Sequence, residues 1–317
     1  MSAGGLIVQE LTGQATTVSP TSGEPARGMA PPGFRLPAAT RLGRVRLQVA
    51  ELERSLAYYQ QVLGLRLISR TETDAALGAG GATGDDTPLV ELHALPGAAP
   101  VPQTGRLGLY HFAILLPERA ALGRFLTHLG AIGARAGMSD HLVSEAIYLR
   151  DPDGLGIEVY ADRPRSAWRY DGREIVMETL PLNARDLFAA GIGEEWRGMP
   201  AGTRIGHVHL HVGDLERAAA FYHAALGLDR TVWSYPGALF LAAGGYHHHL
   251  GVNTWAAGAP TAGEADARLL SWEIDLPPEA AAAAAESIAA AGYDVARDGS
   301  GWIARDPWGT AVRLVPG

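Results

Sequence analysis

His141-Leu-Val-Ser-Glu-Ala-Ile-Tyr148-Leu-Arg-Asp151-Pro152-Asp-Gly154-Leu-Gly-Ile-Glu158 is the stretch that decides how this chain folds. Asp151-Pro152-Asp153-Gly154 is a turn sequence: proline presets φ, glycine tolerates the exit and aspartate caps locally. The flanks, 145–150 and 156–160, are rich in isoleucine, valine and tyrosine and are predicted strands. A loop over 151–155 pairs Arg150 with Gly156, and that register sets Tyr148 opposite Glu158 on one face. A phenol, a carboxylate and the imidazole of nearby His141 are then expected to point into one cavity.

Outward from this hairpin the chain repeats itself. Residues 41–49 alternate as a strand, and 52–63 carry apolar residues at helical spacing up to Gly64, a C-cap residue. Strands follow at 65–71 and 89–95, with a weak one near 75–77. A second unit runs from a strand at 107–117, which carries His111, through a helix at 118–129 to the hairpin. At Ile205 the first unit returns. Leu42-Gly-Arg44-Val-Arg-Leu-Gln-Val is matched by Ile205-Gly-His207-Val-His-Leu-His-Val, and Leu52-Glu-Arg-Ser-Leu-Ala-Tyr-Tyr by Leu215-Glu-Arg-Ala-Ala-Ala-Phe-Tyr222. Asp214 is a good N-cap for the second of these helices. A fourth unit, from about Leu269, echoes the second, with Asp306-Pro-Trp-Gly in place of Asp151-Pro-Asp-Gly. The chain is an internal duplication of β-α-β-β-β units in the order A-B-A′-B′, an α+β class. The layout expected along the chain is a mobile tail at 1–39, a two-unit domain at 41–162, a linker at 163–203 and a second two-unit domain at 204–317.

The totals exclude several classes. A chain of 317 residues, 47% hydrophobic and 19% charged, suits two ordinary globular domains. A net charge of −8 without a basic stripe argues against nucleic acid as a partner. With no cysteine there are no disulfides, thiolate metal sites or cysteine nucleophile, which fits a reducing compartment. No stretch approaches a transmembrane helix, and the N-terminus lacks a basic region followed by an apolar core. The expectation is a cytoplasmic protein with no membrane partner.

Paired β-α-β-β-β units resemble the vicinal oxygen chelate superfamily, which includes glyoxalases, bleomycin-resistance proteins and extradiol dioxygenases. The resemblance covers about residues 41–317 and implies half-barrels, each closed by two units as a cup around a metal. Ligands in that superfamily come from the first and last strands of the units. The hairpin also resembles the extradiol ring-cleavage signature: a His, a short spacer, an apolar-Tyr pair, an acidic-Pro turn with Gly, then Glu. His141, Ile147-Tyr148, Asp151-Pro152, Gly154 and Glu158 match it; Ser139 departs from it, standing where the pattern has Gly, Asn, Thr, Ile or Val. With Gly-Tyr-His-His-His before Leu-Gly-Val-Asn, the chain is similar to the two-domain catechol 2,3-dioxygenases. That similarity implies Fe(II), with Mn(II) as the alternative ion. It also implies a small aromatic diol and O₂ as substrates, a 2-hydroxymuconic semialdehyde as product, a homo-oligomer, and a place in aromatic catabolism.

The resemblance also assigns residues. Two imidazoles and one carboxylate on one face suit non-haem Fe(II), leaving positions open for substrate and O₂. Glu158 takes the carboxylate position, and His111 and His207 the two first-strand positions. Read singly, Glu158 could be a solvated strand residue, and His111 and His207 satisfied core imidazoles. His248, counted back from Leu250-Gly251, takes the acid–base position, and alternation turns His247 and His249 the other way, as a surface cluster. Tyr148 is assigned to the substrate, with a core aromatic as the plain reading, and His141 to a donor role beside it. His209 and His211 share the face of His207, while His93, His128 and His223 read as structural or solvated.

Three functions compete on this fold: an extradiol dioxygenase, a glyoxalase-like metal-dependent lyase or isomerase, and a metal-free drug-binding protein. Counting ligands constrains the pairing of units. Units one and two together offer Arg44, His111 and Glu158, and a guanidinium cannot ligate iron. Units three and four offer His207 and His248, but set Ser271 and Arg313 where His111 and Glu158 would stand. Only units two and three gather the complete set, which leaves one and four to form a second, metal-free cup.

Overall fold

The computed structural model describes residues 27–80 and 87–317. Unit one comprises strand Arg41–Val49, helix Leu52–Gln61 and strands Arg66–Arg70, Asp74–Gly78 and Val90–Ala94. Unit two comprises strand Gly108–Leu115, helix Arg119–Ala131 and strands Gly137–Asp140, Ser144–Arg150 and Gly156–Asp162. Unit three runs from strand Arg204–His211 through helix Leu215–Ala219 to strands Asp229–Val232, Ala238–Ala242 and Leu250–Asn253. Unit four has strand Arg268–Leu276, helix Pro278–Ala290 and strands Val295–Asp298, Gly301–Arg305 and Ala311–Pro316.

These strands form two eight-stranded sheets, and each joins units from opposite sides of the linker. In one, strand Gly108–Leu115 pairs antiparallel with Arg204–His211, joining unit two to unit three. In the other, Arg41–Val49 pairs antiparallel with Arg268–Leu276, joining unit one to unit four. The sheets therefore cut across the layout of 41–162 and 204–317 as successive two-unit domains, and follow the pairing that the ligand count requires. A shared apolar core draws side chains from both sheets, from Leu47 and Tyr59 to Phe112, Phe221 and Trp272.

The Asp-Pro turns tie the two halves together in matched fashion. Asp151 accepts the backbone N–H groups of Asp153 and Leu155, and Asp306 those of Trp308 and Thr310. Tyr59, on the helix of unit one, donates to Asp151 at 3.2 Å, and Tyr222, on the π-helical stretch Ala220–Ala225 that continues the helix of unit three, donates to Asp306 at 2.9 Å. Each tyrosine reaches from one sheet's helix to the other sheet's turn, so the hydroxyl that would be costly to bury alone is satisfied.

Where the second cup would bind a metal, it is filled by ion pairs. Arg44 lies 3.0 Å from Glu273 and 2.6 Å from Glu91, and Arg313 lies 2.8 Å from Glu273 and 2.6 Å from Asp298. Two guanidinium groups answer these three carboxylates, which leaves none of the three free for a cation.

The expectation for the N-terminal segment changes. The tail reading for residues 1–26 lies outside the described residues, but 27–39 dock on unit three: Met29 bridges Arg230, Leu36 is buried, and Arg35 pairs with Asp229 at 2.7 Å. The segment between the two halves holds a short hairpin at Tyr170–Asp171 and Glu174–Ile175 and a helix at Ala184–Ala190, capped by Asn183. Leu180 in this segment exchanges both backbone hydrogen bonds with Asp140, at 2.9 Å each. No helix among the described residues is long and apolar enough to cross a membrane.

Candidate metal centre and catalytic cavity

Strand pairing builds the centre. In the hairpin Tyr148 stands opposite Glu158 and Arg150 opposite Gly156, the register that the Asp-Pro turn dictates. The parallel ladder then sets Glu158 beside Ala113, and the antiparallel one sets Ala113 beside His207 and His111 beside His209. Small side chains, Ala113 and Ala146, floor the cup next to Leu115 and Tyr160 and leave room for the imidazoles. Gly206, next to His207, is required: a Cβ there would overlap Tyr160 Oη.

Three donor atoms converge. His111 Nε2 lies 2.9 Å from Glu158 Oε2, His207 Nε2 lies 3.1 Å from the same oxygen, and the two ring nitrogens are 3.3 Å apart. All three side chains are buried. Glu158 has no Arg or Lys partner among the described residues, so its charge is answered by the two imidazoles. Burial pushes its carboxyl pKa up, but His207 and His111 pull it further down, well below the usual carboxylate range. Burial likewise depresses His111, and Glu158 offsets part of that. A buried carboxylate with two imidazole nitrogens, spaced as ligands around one ion must be, is a donor set that fits a divalent first-row cation. His207 Nδ1 is buried without a partner, so the N–H that Nε2 ligation would place there has no acceptor among the described residues.

The triad opens on a cavity of about 370 Å³, within the range of small-ligand sites. His248 lines it with its ring 4.0 Å from that of His207, while His249 faces away and accepts the Ala243 N–H at Nδ1. Strand alternation is not the cause, because the strand begins only at Leu250. Nor are His247 and His249 a surface cluster: both are buried. Burial and the neighbouring His207 hold the His248 pKa well below the ordinary imidazole value. Tyr148 borders the triad and His141 lines the cavity next to it, its Nε2 2.6 Å from Tyr148 Oη. His141 Nδ1 lies 2.7 Å from the Glu178 carbonyl, an acceptor, so Nδ1 carries a hydrogen. Leu142 holds it there from a tight turn at φ 67°, the left-handed region, with Asp140 Oδ1 accepting its N–H.

His209 lines the cavity, its ring 5.0 Å from that of His111 and its Nε2 2.9 Å from Asn253, which also holds His211 at 2.7 Å. His93 pairs with Asp74, His128 with the Gln61 carbonyl and His223 with the Leu228 carbonyl, all away from the cup. Sequence reasoning passed over several lining groups: Tyr110, Tyr235, Phe240, Trp255 and, from the linker, Met177 and Thr179. Thr179 Oγ1 meets Tyr235 Oη at 2.9 Å, closing the linker over the mouth of the cup.

The glyoxalase/bleomycin resistance protein/dioxygenase superfamily model matches residues 41–159 and 204–314, most of the chain. The chain belongs to that superfamily. It is 42% identical over 273 residues to the catechol-2,3-dioxygenase of Bacillus subtilis (strain 168), covering 84% of this chain and 94% of the relative, and it sits with the extradiol dioxygenases of the superfamily. Among solved structures, one from Bacillus subtilis subsp. subtilis str. 168 superposes with TM-score 0.60 at 15% identity, covering 89% of this chain and 86% of the other. Glyoxalase I from Zea mays gives 0.52 at 20%, covering 88% and 92%. At those identities the two structures share the fold alone.

Proposed function

We infer that this chain is an Fe(II)-dependent extradiol dioxygenase that opens a catechol ring beside its two hydroxyls with O₂, giving a 2-hydroxymuconic semialdehyde. The observation that carries the reading is the convergence of His111, His207 and Glu158 on one edge of a cavity that also holds Tyr148 and His248. The 42% relative, a catechol-2,3-dioxygenase, supports the same reaction class.

The triad would hold the iron, and Mn(II) suits the same donors. Iron bound there supplies one centre at which diol and O₂ exchange electron density. The chain's own groups do the rest. His248 takes a hydroxyl proton from the diol and returns it as the ring opens, a role open to an imidazole with a free nitrogen on the cavity. Tyr148, held by its hydrogen bond to His141, presents its hydroxyl to a substrate oxygen. Tyr110, Phe240 and Trp255 give the aromatic ring apolar faces to pack on and exclude water.

A glyoxalase-like reading calls for a fourth ligand and a second carboxylate. The convergent group found among the described residues holds one carboxylate. A metal-free drug-binding role makes no use of the triad. The protein is expected to work as a homo-oligomer in the cytoplasm, a setting that the absence of cysteine suits.

The test is oxygen uptake. Protein loaded anaerobically with Fe(II) and given catechol should consume O₂ and form a yellow semialdehyde, and should leave a glutathione hemithioacetal unchanged. Isomerisation of the hemithioacetal without catechol cleavage would overturn the reading.

A further inference from the structure

His248 does not stand alone. Its Nδ1 lies 2.7 Å from His247 Nδ1, and His247 Nε2 lies 2.8 Å from Asp162 Oδ1. His247 is fully buried, while the Asp162 side chain keeps about a quarter of its surface in solvent, at 26%. Asp162 ends the strand that carries Glu158, and its Oδ1 also accepts from Tyr246 Oη at 3.2 Å. The carboxylate borders a cleft of about 310 Å³ that it shares with Arg41, Arg165 and Arg204, surroundings that suit an anion.

The directions of these hydrogen bonds follow from what each group can do. An ionised carboxylate only accepts, so the His247 nitrogen facing Asp162 carries the hydrogen. A neutral imidazole has one N–H, so His247 Nδ1 is bare and accepts. The hydrogen between the two rings then belongs to His248 Nδ1. That leaves His248 Nε2 bare, and no hydrogen bond within the described residues engages it. The ring that bears it lines the cavity, packed between His207 at 4.0 Å and Phe240 at 4.9 Å between centroids.

We propose that Asp162 and His247 are positioning residues that lock His248 in the tautomer with hydrogen on Nδ1, so that a bare Nε2 always faces the substrate. The lock rests on the reading of His248 as the acid–base group. Without the carboxylate, both rings can reverse their tautomers together. His247 then offers Nδ1–H, His248 accepts at Nδ1, and the hydrogen on His248 moves to Nε2, where it blocks proton abstraction. Asp162 also sets the charge of the arrangement: once His248 holds the substrate's proton, the positive ring is tied through His247 to an anion.

The deciding experiment is nitrogen-15 NMR of histidine-labelled, full-length protein, metal-free and Zn(II)-loaded, with wild type beside Asp162→Asn and Asp162→Glu. The lock predicts Nδ1–H with bare Nε2 for His248 in wild type, mixed tautomers in Asp162→Asn, and a return toward the wild-type pattern in Asp162→Glu. In the iron-loaded enzyme, Asp162→Asn should lower kcat by on the order of 10²–10⁴-fold, the range of a misdirected acid–base group, while KM for catechol and iron content stay close to wild type. Nε2–H on His248 in wild type overturns the lock even if neither variant folds. So does Asp162→Asn with wild-type kcat and tautomer. If wild type cleaves no catechol, the dioxygenase reading fails, and the tautomer still decides the lock by itself.

Discussion

His111 Nε2 and His207 Nε2 stand 3.3 Å apart although 96 residues separate them in the chain, and one oxygen of Glu158 closes the triangle. Two imidazole nitrogens and a carboxylate brought this close, out of water, need a shared cation or shared protons to be stable together. Replacing the carboxylate while keeping its shape separates the two. Glu158→Gln should fold, because an amide still bonds the imidazoles, but should lose iron and the rise in Tm that divalent metal gives wild type. Metal analysis of the purified variant after dialysis reads this directly; wild-type iron content would remove Glu158 from the ligand set.

His248 and His249 are adjacent yet face different surroundings, and their variants should fail differently. His248→Phe should keep iron and lose on the order of 10²–10⁴-fold in kcat. His249→Phe leaves the Ala243 N–H buried without its acceptor, which costs about 1–3 kcal/mol of stability and little turnover. Kinetics and urea unfolding on both variants separate the two outcomes, and a reversed pattern would exchange their roles.

Burial, with His247 next in size, lowers the His249 pKa to about 3. Between the ordinary imidazole value and that one, the unfolded chain binds a proton that the folded chain refuses. Stability should therefore fall as pH falls through this window, by up to about 1.4 kcal/mol per pH unit. His249→Gln removes this dependence. Between pH 7 and 5, wild type should lose about 2 kcal/mol more than the variant in urea unfolding of metal-free protein. Equal losses would show that His249 does not titrate as its burial implies.

Gly206 sits where Tyr160 Oη leaves no space for a side chain, one residue before His207. Gly206→Ala should cost about 1–3 kcal/mol by overpacking and weaken iron binding by shifting the strand that carries His207. Adding Tyr160→Phe removes the overlapping oxygen and should restore part of both. Unchanged iron affinity in Gly206→Ala would show that the strand absorbs the clash without moving its ligand.

Much of this was legible in the sequence because it is local or repeated. The Asp-Pro turn fixes the hairpin register, and the register alone puts Tyr148 beside Glu158. The duplication sets His207 against Arg44 and Glu158 against Arg313, so charge alone argues against a metal in one cup, and ion pairs fill it. What escaped lacks such a pattern. The linker reaches the cavity through Met177, Thr179 and the Glu178 carbonyl, and a backbone oxygen leaves no mark on side-chain chemistry. The helix of unit three passes into a π-helix at Ala220–Ala225, whose residues differ little from those of an ordinary helix. Asp162 could have been found: it lies at even spacing from Glu158 and Tyr160 on one strand, a face the alternation already pointed into the cup.

The most direct test of the central claim is an anaerobic titration of metal-free protein with Fe(II), each point assayed with catechol and O₂ and the product identified by mass and absorbance. Ring cleavage should rise linearly and break at one equivalent of iron per chain, with the semialdehyde as product, and Glu158→Gln should stay flat throughout. Activity independent of added metal, or a muconate formed by cleavage between the hydroxyls, would contradict a metal centre of His111, His207 and Glu158 that performs extradiol cleavage.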